Sequence, residues 1–405
     1  MIRGWGKFKV MIRKRIAILT LRVGTGHIKA AESIQRALEE GGDNLEVRTL
    51  DVAEFGRAWF HWLYIQSYWL MLRHAPSMWR KLFERRQQKH HRATAPEWLF
   101  RRGCEPLFRE LRSFSPHLIM ATEIGAAEIA AVAKRGGWVN APIQAVQTDF
   151  HTEPPWVQEE MDIFCVGSEE AQSQLIEWGV DPNRIRICGI PVDPAFGLPF
   201  DRDDLRQALG LDRNRPVVLV MGGGMGPVPL DRIVLSLEGC GLPLQILAVA
   251  GHDHPVKSKL DRMHGKVALD IHAFGWTDNV PELMAASDLL ITKPGGVTVA
   301  ESMAASLPMI LTHPIPGPEE RHAHYLERHG VAVLADPLER IAQLTSELLS
   351  NREKLSEMKR RARELSRPDA THAIAQIGRA MLELGASIEL LPAPHTRSGD
   401  SAYLM

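Results

Sequence analysis

Residues 288–301 read Asp288-Leu289-Leu290-Ile291-Thr292-Lys293-Pro294-Gly295-Gly296-Val297-Thr298-Val299-Ala300-Glu301. A short apolar run enters a Pro-Gly-Gly turn, and a helix is expected to start at Val297 or Thr298. This is one strand–turn–helix unit, and the helix start leaves backbone N–H groups without partners. Such an end can hold a diphosphate through its amides and the Thr298 hydroxyl. Glu301, one turn further, can accept two hydrogen bonds from a ribose diol. The Thr298-x-x-Glu301 spacing suits a capping box equally well, and spacing alone leaves both open.

Working outward, the same unit recurs along the chain. The second half supplies candidate strands at Pro216–Gly222, Leu244–Gly251, Val267–Gly275, Leu289–Lys293, Pro308–His313 and Val331–Ala335. The first half supplies Arg15–Leu21, Glu46–Val52, His117–Thr122, Ile143–Phe150, Asp162–Ser168 and Ile185–Pro191. Apolar runs alternating with amphipathic segments predict parallel sheets with crossover helices. Between the series lie Gly189-Ile190-Pro191-Val192-Asp193-Pro194 and Gly197-Leu198-Pro199, a glycine- and proline-rich linker. The expected architecture is α/β, with two Rossmann-like doubly wound domains facing each other across a cleft. Ligands bind such domains at the carboxyl ends of the strands. The expected divisions are residues 1–196, residues 197–367, a final helix within 368–390 that can pack back on the first domain, and a disordered tail at 391–405. The 405 residues suit two domains of ~150–200 residues each.

The formal net charge is only −1, so the total selects no partner, nucleic acid included. Its distribution is uneven: residues 1–100 hold eighteen Lys and Arg against nine Asp and Glu. Within them, Trp59 to Arg92 reads WFHWLYIQSYWLMLRHAPSMWRKLFERRQQKHHR. Trp59, Trp62, Trp69 and Trp79, with Tyr64 and Tyr68, precede or adjoin Arg80, Lys81, Arg85, Arg86, Lys89 and Arg92. Aromatic residues with one polar end favour a membrane–water interface, and cations beside them favour anionic headgroups. The alternative is a core helix pair with a solvated basic face. No run of ~18 apolar residues exists, so a membrane would be met from its surface. Cys104, Cys165, Cys188 and Cys240 form no CxxC or Cys/His cluster and read as reduced thiols packed in a cytoplasmic protein.

The first strand ends in Leu21-Arg22-Val23-Gly24-Thr25-Gly26-His27, and a helical pattern follows. Glycine permits the tight turn and close approach of a ligand. Lys29 stands where the dinucleotide fingerprint needs its third glycine, which argues against a nicotinamide-dependent dehydrogenase. His27, at the helix start and facing the expected cleft, titrates near neutral pH and suits general-base work. It reads alternatively as a surface helix-capping histidine. The glycine run Met221-Gly222-Gly223-Gly224-Met225-Gly226-Pro227 offers amides to a diphosphate but lacks the Lys-Ser/Thr ending of a Walker loop.

From about Lys14 to Arg379 the chain resembles the monogalactosyl- and processive glucosyl-diacylglycerol synthases, GT-B glycosyltransferases of family 28 and relatives of the lipid-II-forming N-acetylglucosaminyltransferase. The resemblance rests on Gly24, Gly26 and His27; on Thr148, Asp149 and Phe150 with Trp156 six residues later; and on Gly189 to Val192. It rests further on Lys293 through Glu301 and on Pro314, Pro316, Gly317 and Glu319. It implies inverting transfer of a hexose from a UDP-sugar to a diacylglycerol-type lipid, with no bound metal or other cofactor. By this resemblance His27 would be the base, with Asp149 orienting it or sharing the role and Glu153 a second candidate. Gly26, Gly223, Phe274, Gly275, Gly295, Gly296, Val297, Thr298, Glu301 and Glu319 would bind the donor. Trp59, Trp62, Trp69, Trp79, Arg85 and Arg86 would serve the acceptor and an anionic membrane surface, placing the protein peripherally on the inner face of the cell membrane. Four positions depart from the family pattern: Pro318 replaces a Gln, His322 an Asn, and Glu153 and Glu123 each a His. They leave the nucleotide site unaltered and bear on the sugar and the acceptor. The rival readings are another GT-B transferase with a different acceptor, or a UDP-sugar-binding regulator that does not transfer.

Overall fold

The structure, a computed structural model, describes residues 13–41, 44–88, 92–223 and 228–384. Lys89, residues 224–227 of the glycine run and the 391–405 tail lie outside them. All twelve expected strands form. β1 (Lys14–Thr20), β2 (Leu45–Asp51), β3 (Leu118–Ala121), β4 (Ile143–Val146), β5 (Ile163–Val166) and β6 (Ile185–Ile187) make one sheet. β7 (Val217–Met221), β8 (Gln245–Val249), β9 (Asp270–Phe274), β10 (Leu289–Thr292), β11 (Met309–Leu311) and β12 (Ala332–Leu334) make the other. Every strand pair is parallel, for example Ile16 opposite Leu118 and Leu290 opposite Met309. Helices cover both faces, so β3, β7 and β10 are buried along their whole length. That double burial is why they read as continuous apolar runs rather than as alternation.

The orders are β2-β1-β3-β4-β5-β6 and β12-β11-β10-β7-β8-β9. Each sheet is therefore built outward in both directions from one internal boundary, β1/β3 in the first and β7/β10 in the second. Two doubly wound domains so arranged form the GT-B fold. The strands end sooner than their apolar runs. The run expected at Ile143–Phe150 leaves the sheet after Val146, and Thr148 and Asp149 form part of the cleft wall instead.

The two domains meet closely. A Cβ on Gly296 would overlap the Thr148 carbonyl oxygen of the first domain, so only glycine allows this approach. The final helix, Ala370–Leu384, lies on the first sheet: Gln144 Nε2 donates to the Ile374 carbonyl (3.0 Å), and Thr371 Oγ1 to that of Val192 (2.6 Å). Ile374 and Ala375 are buried with Ile16, Ile18 and Ile34, which closes the core of the first domain from the far end of the chain.

The aromatic-basic segment breaks the β–α rhythm, as its sequence suggests. Ala58–Phe60 leads into a π-helical turn, His61–Gln66, then helices Ser67–His74 and Pro76–Gln88. Phe60, Ile65 and Phe83 are buried and pin the segment to the body. Trp62 (67% exposed) and Leu70 (60%) face out. Trp69 packs against the core instead, and the Trp79 indole donates to the Pro316 carbonyl across the domain boundary (3.1 Å). The four tryptophans therefore do not form one outward face. Among the described residues no helix is long and apolar enough to cross a membrane.

Candidate active site in the interdomain cleft

Where a doubly wound sheet reverses its order, the loops on either side diverge and leave a crevice. Here the segments following β1 and β3 face those following β7 and β10, and the two crevices join into one cleft of about 1130 Å³. His27 comes from the first wall, in the first turn of the helix Thr25–Glu40. Lys293 and Gly295–Thr298 come from the opposite wall.

His27 Nδ1 lies 3.2 Å from the Thr122 carbonyl oxygen and 2.9 Å from Thr148 Oγ1. A carbonyl oxygen can only accept, so Nδ1 carries the hydrogen and Nε2 keeps the basic lone pair. Burial moves the imidazole pKa below its ordinary value, outweighing Asp149 and the Thr122 carbonyl, which raise it. A neutral ring with a free Nε2 at pH 7 is a competent proton acceptor.

Asp149 sits beside His27, but its closest partner is elsewhere. Its Oδ1 lies 3.1 Å from Nε2 of His322, in the helix Pro318–Arg328 of the second domain. Burial would raise the Asp149 pKa, yet His322, His151 and His27 together hold it down to about 2. Glu153, the other candidate base, forms an ion pair with Arg86. Glu123 lines the cleft, caps the helix Ile124–Arg135 through the Ala126 amide (2.9 Å), and is pushed by burial up to about 7. Sequence reasoning noted Glu123 only as a departure. Its titration near neutral pH arises from burial, which one sequence does not display.

Of the residues expected to bind the donor, Gly26, Gly223, Gly295 and Gly296 line the cleft with Val297, Thr298 and Glu319. The helix runs from Gly296 to Ala304 with Gly295 as N-cap and no side-chain cap. It starts earlier than expected, which places Thr298 inside the first turn and removes the capping-box alternative. Lys293 Nζ donates to Glu319 Oε1 (2.5 Å), and the Ile315 amide donates to Oε2 (2.8 Å). Glu319 thus steadies a cation at the turn. Lys293 belongs to the quoted motif but was given no role of its own. Phe274, Gly275 and Glu301 are not in the wall of this cleft. Glu301 stands on the helix Gly296–Ala304, where burial, Lys29 of the helix Thr25–Glu40 and Asp193 act on it. Phe274 and Gly275 lead to Trp276, which stacks on His252 (4.5 Å) with the Lys29 ammonium 5.3 Å from its ring.

The cleft wall toward the aromatic-basic segment is apolar and aromatic, with Leu63, Tyr68, Trp69, Leu82 and Trp98 among its lining. Leu63, Leu82 and Trp98 (55% exposed) are also part of the outer surface, so the cleft opens directly onto the exposed apolar face. Arg85 is exposed and lines the cleft, while Trp59 is exposed and is not in its wall. Arg86, expected to serve the acceptor and an anionic membrane surface, is instead turned inward onto Glu153, near Trp79 and Phe83. Removing one partner of such a pair leaves a buried charge at a cost of ~3–5 kcal/mol.

Residues 27–192 match the family described as monogalactosyldiacylglycerol (MGDG) synthase, and residues 217–374 match the glycosyltransferase family 28 C-terminal domain. A processive diacylglycerol beta-glucosyltransferase of Bacillus licheniformis is 27% identical over 368 residues, 89% of this chain and 93% of that protein. The crystal structure of Acinetobacter baumannii MurG superposes with a TM-score of 0.60 at 16% identity, covering 91% of this chain and all of that one. Anabaena HepE, solved with UDP and glucose, gives 0.55 at 16% identity over 92% and 99% of the two chains. The structural likenesses establish the fold alone; the family matches run in order through both domains.

Proposed function

We propose, on the premise that this chain belongs to the glycosyltransferase family of monogalactosyldiacylglycerol synthases and processive diacylglycerol glucosyltransferases, that it moves a hexose from a UDP-sugar to the hydroxyl of a diacylglycerol-type membrane lipid. The observation that carries the reading is the opposition of His27 to the Gly295–Thr298 helix start across one cleft that opens on an apolar face. The acceptor hydroxyl loses its proton to His27 Nε2 as its oxygen attacks the anomeric carbon. The UDP leaves on the opposite side, where backbone amides and the Lys293 ammonium stabilise the growing diphosphate charge. Base and leaving-group site on opposite walls favour a single in-line displacement, hence inversion. The reading asks for no cofactor besides the sugar nucleotide. It is tested by incubating the protein with radiolabelled UDP-glucose, UDP-galactose or UDP-N-acetylglucosamine and diacylglycerol liposomes, then counting the extracted lipid. Label in none of the lipid extracts, with UDP still bound, would leave a sugar-nucleotide-binding regulator.

The same reading places the exposed apolar face on a membrane. Full-length protein should sediment with liposomes containing anionic lipid, and less with neutral ones or at high salt, because exposed charge is screened within ~8 Å at physiological ionic strength. Replacing Trp62 and Leu70 by Ser should reduce sedimentation while leaving the melting temperature unchanged, since both side chains are exposed. Trp69→Ser should do the reverse and lower the melting temperature, since Trp69 packs against the core. Lys81→Gln with Arg85→Gln should weaken binding to anionic liposomes only. Equal sedimentation of all variants would make the face an ordinary solvated surface.

A further inference from the structure

His322 stands in a position for which the donor and acceptor reading assigns no task. It is buried at the meeting of the two domains. Its Nδ1 lies 2.9 Å from the Pro294 carbonyl oxygen, in the turn that opens the diphosphate-binding helix. Its Nε2 lies 3.1 Å from Asp149 Oδ1, on the opposite domain. Neither partner has a hydrogen to give, the first being a carbonyl and the second an ionised carboxylate. Nδ1 must therefore carry one, while Nε2 stands at ion-pair distance from the carboxylate, outside hydrogen-bond geometry, and attracts it when the ring is protonated.

We propose that His322 is a positioning residue, a charged clasp that ties Asp149 to the Pro294 turn and thereby sets His27 against the diphosphate-binding helix start. This inference rests on the donor site proposed above. Asp149 adjoins Thr148, whose hydroxyl is 2.9 Å from His27 Nδ1 and whose carbonyl packs on Gly296. One short route of contacts thus runs from the base through Thr148, Asp149 and His322 to the donor turn. Beside it, the Phe150 ring meets His322 edge-on at 5.7 Å and holds its plane.

The charges facing His322 agree with this. Burial would lower its pKa, but the Asp149 contact, the Pro294 carbonyl and Glu319 raise it above the ordinary value. His151, 4.9 Å away between ring centres, is driven by burial down to about 3 and stays neutral. Lys293 and His27 face the same space from the turn after β10 and the first helix, and Arg321 from its own helix. The clasp is therefore complete below the ordinary histidine value of about 6.5 and is lost as pH rises through the raised His322 pKa.

The test uses the full chain with ¹⁵N-labelled histidine. One imidazole signal, absent from His322→Gln or from His322→Asn if the first fails to fold, should be doubly protonated at pH 6. It should titrate above about 6.5, and Asp149→Asn should bring that titration down. In the transfer assay His322→Gln should lose about ten- to a hundredfold in kcat, the range that a misplacement of about 1 Å can cost. Its donor KM should stay within about threefold, and the alkaline fall of the wild-type kcat profile should disappear. A neutral His322 signal at pH 6, or wild-type kcat and alkaline limb in the variant, would overturn the clasp. Failure of wild-type protein to bind UDP would instead sink the donor reading, and the histidine titration would still decide the clasp.

Discussion

Alanine at His27 should cut sugar transfer by about 10²–10⁴-fold, the usual contribution of a general base, with UDP affinity unchanged. The size follows from the geometry. Nδ1 is committed to the Thr122 carbonyl and the Thr148 hydroxyl, leaving Nε2 to act, and Thr148 sits at the domain contact beside Gly296. The pH dependence has a definite sign. Burial places the His27 pKa below its ordinary value, so the basic form persists at neutral pH and wild-type activity falls as pH drops through that lowered pKa. The acid limb should vanish in the residual activity of His27→Ala. Comparison of kcat, UDP binding by calorimetry and the pH profile checks all three statements. Normal turnover in the variant would pass the role to another carboxyl lining the cleft. Of these, Glu123 at about 7 is the best poised. Asp149 at about 2 is too weak a base and is held by His322, while Glu153 is held by Arg86.

How far this site was legible in the sequence depends on which interactions made it. The central strands β3, β4, β5, β7, β10 and β11 were legible because a strand covered on both faces is apolar throughout, and the turns between strands are marked by glycine and proline. The Pro294-Gly295-Gly296 turn was legible for the same local reason. The tryptophans were not. Trp62 and Trp69 are seven residues apart, which in an uninterrupted α-helix puts them on one face. The π-helical turn His61–Gln66 takes up extra chain between them and shifts the phase, so Trp62 faces out while Trp69 faces the core. The charge partners were hidden too. Arg86 with Glu153, and His322 with Asp149, join segments distant in the chain, and nothing local to either announces the other. The departures at Glu153 and His322 were the available signals, since a residue that differs from its family at a site must find a different partner there.

Alanine at Glu301 should weaken UDP binding by about ten- to a hundredfold, the equivalent of losing a charged hydrogen-bonded contact worth ~1.5–3 kcal/mol. Glu301 is not in the wall of the main cleft but stands on the helix Gly296–Ala304, and burial pushes its carboxyl up to about 8, against the pull of Lys29 on the helix Thr25–Glu40. Accepting two hydrogen bonds from a diol needs the ionised form, so a ribose bound there must draw the proton off. UDP affinity should therefore climb between about pH 6.5 and 8.5 more steeply in wild type than in Glu301→Gln, which also subtracts the titration of UDP itself. The unliganded protein should show the converse. A carboxyl whose folded pKa is raised stabilises the fold fully below its unfolded value of ~4.3, and that stability is lost as pH rises toward 8. Glu301→Gln, which never ionises, should escape that loss and melt higher than wild type at pH 8.5 while binding UDP less well. Calorimetry and thermal melts across this range read both effects. Because the helix is capped by Gly295 with no side-chain cap, an unchanged UDP affinity in Glu301→Ala could not be assigned to capping. It would show that the ribose is held elsewhere, and the neighbouring edge formed by Trp276, His252 and Lys29 would be the next place to look.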